Sequence, residues 1–343
     1  MSDLQSEMKR VKSRVDDLIL EQLLPKSSGI REVDLLYSMM RDYPSRQAKG
    51  MRPFLCVTSC KAAGGTEDEA LLTAACIELF QNWILIHDDI EDGSELRRGE
   101  PSLHRKYSEA LALNAGDALH ARTWEALLRN KTTLGPEKTV AVMDEFSRMV
   151  NETTEGQHME LGWVESKRWD LGEKDYYQMC TKKTSWYTVG SPCRLGAIIA
   201  GANQKVLDGL REFGFSLGVA FQIQDDALNL VGDQKKYGKA KSDDILEGKR
   251  TLILLHLLER ANQSERGRII AVMNKPREAK TAADVSYVLS LIDRYDAVGF
   301  ARKRAAELLK EALETLKGIK WAGDGDSAGM LASFARFAVE REW

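Results

Sequence analysis

The stretch Ile86-His87-Asp88-Asp89-Ile90-Glu91-Asp92 places four acidic side chains within five positions, and Arg97-Arg98 follows shortly after. On a helix, Asp88 and Asp92 are four apart and Asp89 and Asp92 three apart, so their carboxylates stack on neighbouring turns. Held that close, they repel unless a cation lies among them. Hard oxygen ligands in this pattern suit Mg²⁺, which takes one or two carboxylates and completes its shell with water and substrate phosphate. The planar fork of arginine suits the phosphate. An acidic run is more often a solvated helix end. Here, however, the residues ahead of it (Leu79, Phe80, Trp83, Ile84, Leu85, Ile86) are apolar, so the acids stand at the rim of something buried.

A second stretch repeats the pattern. Phe213, Phe215, Leu217, Val219 and Ala220 lead into Phe221-Gln222-Ile223-Gln224-Asp225-Asp226-Ala227-Leu228-Asn229. Two acidic helix ends facing each other could hold several divalent ions. Basic residues accompany them: Lys49 and Arg52, Arg97 and Arg98, Lys183 beside Thr184, and Lys239 and Lys249. Each alone reads as a surface charge. Together they outline a site for about three carboxylate-bound ions and two diphosphate groups, with an apolar wall that makes the rest of the ligand greasy.

The elements that must position these groups read as helices. Val11, Val15, Leu18, Ile19 and Leu23 give an amphipathic first helix ending before Pro25. A second apolar run ends before Pro44, and Gly64-Gly65 closes a third helix. Thr66 or Asp68 opens the helix that carries the first acids, and Glu95 to Pro101 reads as loop. Further helices are expected at 107–129, 137–165, 173–202 (kinked at Pro192), 204–231, 243–262, 281–296 and 297–317. Trp321 to Gly329 reads as a flexible turn before a short last helix. No strand-type alternation, repeat or low-complexity linker interrupts this pattern, so we expect one all-α domain over 1–343.

Composition fits a globular protein: 43% of the 343 residues are hydrophobic and 29% charged. A formal net charge of −3 argues against a nucleic-acid partner. The five cysteines form no thiol framework, which points to a reducing cytoplasm. The N-terminus lacks the apolar region of a signal peptide, and no apolar run is expected to span a membrane.

These motifs resemble the trans-prenyltransferases, the all-trans polyprenyl diphosphate synthases that include farnesyl and geranylgeranyl diphosphate synthases. Asp88 to Asp92 with Arg97-Arg98-Gly99-Glu100-Pro101 is similar to that family's first aspartate-rich motif. Gln222 to Gly232-Asp233, then Gly238-Lys239 and Glu247-Gly248-Lys249-Arg250-Thr251-Leu252, is similar to the second. Lys49-Gly50-Met51-Arg52-Pro53, Gly156-Gln157-His158-Met159-Glu160 and Lys183-Thr184 match further motifs. The resemblance implies a helical bundle around a deep central cavity, usually a homodimer, that joins isopentenyl diphosphate head-to-tail to an allylic diphosphate. It implies Asp88, Asp92 and Asp225 as ligands of about three Mg²⁺, with Asp89, Asp226 and Asn229 secondary. Those ions, with Arg97, Lys183 and Lys239, would hold the allylic diphosphate, and Lys49, Arg52, Gln81 and Arg98 isopentenyl diphosphate; Gln222 and Lys249 would also bind substrate. Lys183, Thr184, Gln222 and Arg97 would take part in catalysis.

Three residues depart from the pattern: Gln81 where many members have histidine, Asn229 for a third aspartate, and Glu160 for an aspartate. Trp83 and Ile84, five and four residues before the first aspartate, resemble the short-chain arrangement, with a farnesyl or geranylgeranyl product. Ideal helix geometry turns Trp83 well away from Asp88, so core packing competes with a role as cavity floor. His87 reads as packing. A terpene cyclase of the same fold would not need Lys49, Arg52 and Arg98. A non-catalytic partner subunit of a heteromeric synthase would be expected to lose its aspartates, and a Mg²⁺ phosphohydrolase would need a base that is not evident.

Overall fold

The computed structural model describes residues 2–231 and 242–341, and they are almost wholly helical. Lys239, with Gly232, Asp233 and Gly238 of the second motif, lies outside the described residues. The helices are α1 (Ser2–Leu18, continued by a π turn Ile19–Leu23), α2 (Arg31–Ser45), α3 (Met51–Ala62), α4 (Glu67–Glu91), α5 (Leu103–Lys106), α6 (Glu109–Leu128) and α7 (Lys131–Glu165). They continue with α8 (Glu173–Cys180), a π segment Thr181–Gly190, α9 (Ser191–Ile199), α10 (Gln204–Val231), α11 (Asp243–Glu247), α12 (Leu252–Arg260) and α13 (Gln263–Met273). The last three are α14 (Ala282–Arg294), α15 (Ala297–Gly318) and α16 (Gly325–Glu340).

Contacts group the chain into two compact units. The first comprises Met1–Arg148, Ser191–Arg211 and Gly318–Phe334. Its centre is α3, packed on α4 and α9, while α4 also packs along α6 and α1 lies on α3 and α4. Phe54, Phe80, Phe146 and Phe334 are fully buried there. A buried ion pair fixes α9 to α7: both Arg194 Nε and Nη2 donate to Glu145 (2.9 and 2.8 Å), and Ser191 Oγ donates to the same carboxylate (2.9 Å). The second unit comprises Met149–Gly190, Glu212–Lys317 and Ala335–Trp343. In it, α12 packs against α8 and α14.

Several expectations need correction. The single kinked helix over 173–202 is three elements, because Pro192 has no donor and its ring crowds the preceding turn. The ten residues before α9 adopt the wider π winding and run directly into α9, whose second residue is Pro192. The helix expected at 243–262 breaks at Gly248, whose φ of 78° ends α11. The helix α13 was not anticipated, although its Asn262–Glu265 capping box is a sequence signal. Pro44 lies inside α2, and α16 already begins at Gly325. Leu96–Arg97 and Glu100–Pro101 form a minimal antiparallel pair rather than a plain loop. Finally, α4 is long and apolar enough to cross a membrane by length and composition, so no apolar run of that kind was too strong an expectation. Its apolar window is 72% buried within the molecule, as in a core helix.

Removing one partner of a buried charge pair leaves the other uncompensated. Glu145→Ala is therefore expected to lower stability by about 3–5 kcal/mol, read by urea denaturation.

Candidate active site

In the first unit, α4 starts at a capping box in which Thr66 and Glu69 satisfy each other's backbone donors (3.3 and 2.9 Å). From there the helix runs through the core and delivers Asp88 and Asp89 at its far end. The two carboxylates have different fates. The Asp88 side chain is 22% exposed and that of Asp89 only 1%. Both Asp89 oxygens are engaged: Tyr43 Oη donates to Oδ2 (2.5 Å), and Arg97 Nε reaches Oδ1 and Oδ2 (2.9 and 3.1 Å). Arg97 Nη2 also reaches Asp88 (3.3 Å). Burial opposes the Arg97 charge, but Asp89 and then Asp88 raise its pKa above the ordinary arginine value. Burial and the adjacent Asp89 likewise raise the Tyr43 hydroxyl, which stays a donor.

The arginines are carried by a two-residue turn. Arg98 and Gly99 have φ of 54° and 82°, as a primed hairpin turn requires. Arg98 accepts this left-handed backbone while its Nη1 donates to the Tyr43 carbonyl (2.8 Å) and Asn82 Oδ1 (3.3 Å). Arg46 clamps the turn from α2, donating to the carbonyls of Arg97 and Pro101 (both 2.8 Å) while lying 4.5 Å over the Tyr43 ring. Burial lowers the Arg98 pKa, and neighbouring Arg97, Arg52 and Arg46 lower it further against the pull of Glu78. Four guanidiniums thus crowd one place, an arrangement that an anion would relieve. Arg52 on α3 and Gln81 on α4 are buried, and Lys49, just ahead of α3, is exposed.

Trp83 packs onto α6. Its ring stacks on His120 at 4.0 Å and meets Phe80 edge-on at 5.2 Å, and His120 accepts from Trp124 Nε1 (2.7 Å). Ile84 is half-buried. His87 also faces α6, against the Leu113 carbonyl (3.3 Å).

In the second unit, the π segment is approached closely by two helices. A Cβ on Gly156 of α7 would lie 2.1 Å from the Lys183 amide nitrogen, and one on Gly218 of α10 would lie 2.4 Å from Ser185 Cα. Only glycine permits these approaches. They bring Lys183 onto Glu160 of α7 and Thr184 onto α10. Lys182 adds ion pairs to Glu152 and Glu155 (2.7 and 2.6 Å). A chain of polar groups follows: Thr184 Oγ1 donates to Gln222 Oε1 (2.7 Å), Gln222 Nε2 donates to Asp226 Oδ1 (2.8 Å), and Tyr176 Oη donates to Asp226 Oδ2 (2.7 Å). Burial pushes the Asp226 carboxyl up to about 7, against the downward pull of Tyr176 and Gln222, with Asp225 and Glu160 adding to the rise. Asp225 is 31% exposed and is met by Arg341 (2.8 Å).

The two acidic pairs therefore share a design: the first aspartate faces outward, while the second is buried and tied to a tyrosine from another helix. This changes the standing of the secondary ligands. Asp89 and Asp226 have their oxygens committed to Tyr43 and Arg97, and to Tyr176 and Gln222. Asn229 is buried, and its Oδ1 accepts the Asp244 amide (3.2 Å) at the start of α11. Lys249 pairs with Glu247 (2.6 Å). Among the described residues no three His, Cys, Asp or Glu side chains converge as a ready metal cage. The outward carboxylates fit an ion that takes few protein oxygens and much of its shell from water and phosphate.

Comparison with known proteins agrees with this geometry. The family model described as polyprenyl synthetase matches residues 33–292. The chain is 35% identical over 295 residues to the short chain isoprenyl diphosphate synthase of Methanothermobacter thermautotrophicus, covering 86% of each. Its structure is similar to that of geranylgeranyl pyrophosphate synthetase from Pyrococcus horikoshii (33% identity, TM-score 0.87, 99% of each chain). It is also similar to geranylgeranyl pyrophosphate synthase from Corynebacterium glutamicum, solved with isoprenyl diphosphate and magnesium (26% identity, TM-score 0.89, 98% and 99%). The chain belongs to the polyprenyl synthetase family. It is accordingly a prenyltransferase with the helical isoprenyl synthase fold.

In this polyprenyl synthetase, sequence reasoning missed Tyr43, Arg46, Tyr176 and Arg341. None belongs to a motif of spaced charges. Each acts through tertiary contact with residues 46 or more positions away.

Gly156→Ala forces the π segment away from α7. We expect a loss of about 1–3 kcal/mol in stability, from overpacking, and a fall in kcat larger than that expected of an exposed alanine. Thermal melts paired with steady-state kinetics check both.

Proposed function

We propose that this polyprenyl synthetase is a short-chain trans-prenyl diphosphate synthase. It joins isopentenyl diphosphate head-to-tail to an allylic diphosphate, giving farnesyl or geranylgeranyl diphosphate and releasing diphosphate. The observation that carries this reading is Arg98, whose guanidinium donates to neutral acceptors, the Tyr43 carbonyl and Asn82 Oδ1, beside an Arg97 already engaged with Asp88 and Asp89. A cyclase handles one diphosphate, and a second guanidinium bonded only to neutral groups suits a second.

In this reading Asp88, Asp92 and Asp225 take Mg²⁺, about three ions in all. When bound, the metal supplies the Lewis acidity that a diphosphate leaving group needs. Asp89 and Asp226 are not ligands: they fix the rotation of α4 and α10 so that the outward carboxylates present themselves. Arg97, Lys183 and Gln222, with Lys239 and Lys249, hold the allylic diphosphate. Lys49, Arg52, Gln81 and Arg98 hold isopentenyl diphosphate.

Loss of the allylic carbon–oxygen bond leaves a carbocation that water would quench. The apolar turns of α4 before Asp88 keep water away. The Thr184 hydroxyl donates a hydrogen bond to Gln222 Oε1 (2.7 Å), which leaves the lone pairs of its oxygen free to stabilise the cation. The double bond of isopentenyl diphosphate attacks, forming the new carbon–carbon bond, and a proton is lost to the departing diphosphate.

We infer that the whole chain, 1–343, works as one synthase domain, a view supported by structural likeness over nearly its full length. A homodimer is what the family resemblance implies. Five buried, free cysteines are consistent with a cytoplasmic setting.

The test is incubation with Mg²⁺, isopentenyl diphosphate and each allylic diphosphate in turn, with the dephosphorylated products sized. Elongation is expected, and its absence from every primer would overturn the reading. Trp83→Ala removes the ring stacked on His120, so a longer product is expected. An unchanged product distribution would rule out Trp83 as the floor.

A further inference from the structure

The C-terminal end of α16 brings an arginine onto the second acidic pair. Arg341 Nη2 donates to Asp225 Oδ1 (2.8 Å), and its guanidinium lies 4.3 Å over the Phe221 ring. Its own carbonyl accepts from Gln224 Nε2 (2.7 Å). Phe221, Gln224 and Asp225 are spaced i, i+3, i+4 on α10, so one helix face grips the arginine by a π surface, an amide and a charge. The Arg341 side chain is only 6% exposed, yet its Nε has no hydrogen-bond partner. The guanidinium is thus held by its charge contact with Asp225 and by the Phe221 ring, with one N–H left unbonded.

We propose that Arg341 is a built-in counter-ion of Asp225 that a divalent cation must displace, so that the C-terminal tail opposes metal loading at the second acidic pair. This rests on the reading of Asp225 as a metal ligand. The physical ground is competition for one carboxylate. An ion bound at Asp225 would sit within repulsive reach of a guanidinium bonded to Oδ1, and Arg341 is screened little where it is buried. Linkage makes the effect reciprocal: as Arg341 weakens the ion, the ion loosens the tail. Phe221 and Gln224 keep the tail nearby, so the arginine can return when the ion leaves.

Mn²⁺ is the probe, titrated into the full-length, substrate-free protein and followed by electron paramagnetic resonance of the free ion. Arg341→Gln is expected to tighten binding at least about fivefold, and Arg341→Lys, which keeps the charge, to stay near wild type. In an Asp225→Asn background, Arg341→Gln should change nothing. The wild-type protein gives an independent readout: amide hydrogen exchange over residues 335–341 should speed up when Mn²⁺ is added. Unchanged or weaker Mn²⁺ binding in Arg341→Gln would overturn the inference. So would Lys and Gln variants that behave alike, or a tail whose exchange does not respond. If Asp225→Asn alone leaves Mn²⁺ binding intact, the ligand reading itself fails, and that outcome is distinct from a failure of the counter-ion.

Discussion

Each acidic pair depends on the burial of one of its two carboxylates. A buried aspartate is costly unless its oxygens are satisfied, and here Tyr43 and Arg97 do this for Asp89 while Tyr176 and Gln222 do it for Asp226. The consequence is rotational. On a helix, adjacent residues point about 100° apart, so locking the second aspartate inward fixes its neighbour outward. Adjacent aspartates of the same chemical type thus acquire different tasks from their surroundings alone.

The same economy governs the cationic side. Arg97 bonds the buried aspartate and reaches Asp88, and it sits on a turn whose shape is held by Arg46 and by the left-handed backbone at Arg98. In the second unit the rigid support is steric. Gly156 and Gly218 let α7 and α10 close on the π segment, and that closeness sets Lys183 against Glu160 and Thr184 against Gln222. A ten-residue stretch of π winding is a rare, high-energy choice. It is tolerated where neighbouring backbone packs against it this tightly.

Much of this was legible in the sequence. The acidic pairs, the basic set, a helix start near Thr66 and the all-helical pattern all follow from residue types and local spacing, which is where periodicity and capping act. What stayed hidden depends on long-range contact. Nothing in the spacing of Asp88 and Asp89 says which will be buried, because that is decided by Tyr43 on α2. Pro192 signalled an irregularity but not that the chain would widen ahead of it. Gly156 was visible as part of a motif, yet its reason, backbone so close that an added Cβ would lie 2.1 Å from the Lys183 nitrogen, exists only in the folded chain. Arg341 has no local partner in the sequence, since its contacts with Phe221, Gln224 and Asp225 are more than 110 positions away.

The division of labour within each pair is open to direct observation. Crystals soaked in Mn²⁺ with a diphosphate ligand, and recorded at the manganese absorption edge, would locate the ions by anomalous scattering. The account predicts peaks coordinated by Asp88, Asp92 and Asp225, with Asp89 still bonded to Tyr43 and Asp226 to Tyr176. Ions ligated by Asp89 or Asp226, with either tyrosine bond broken, would contradict it.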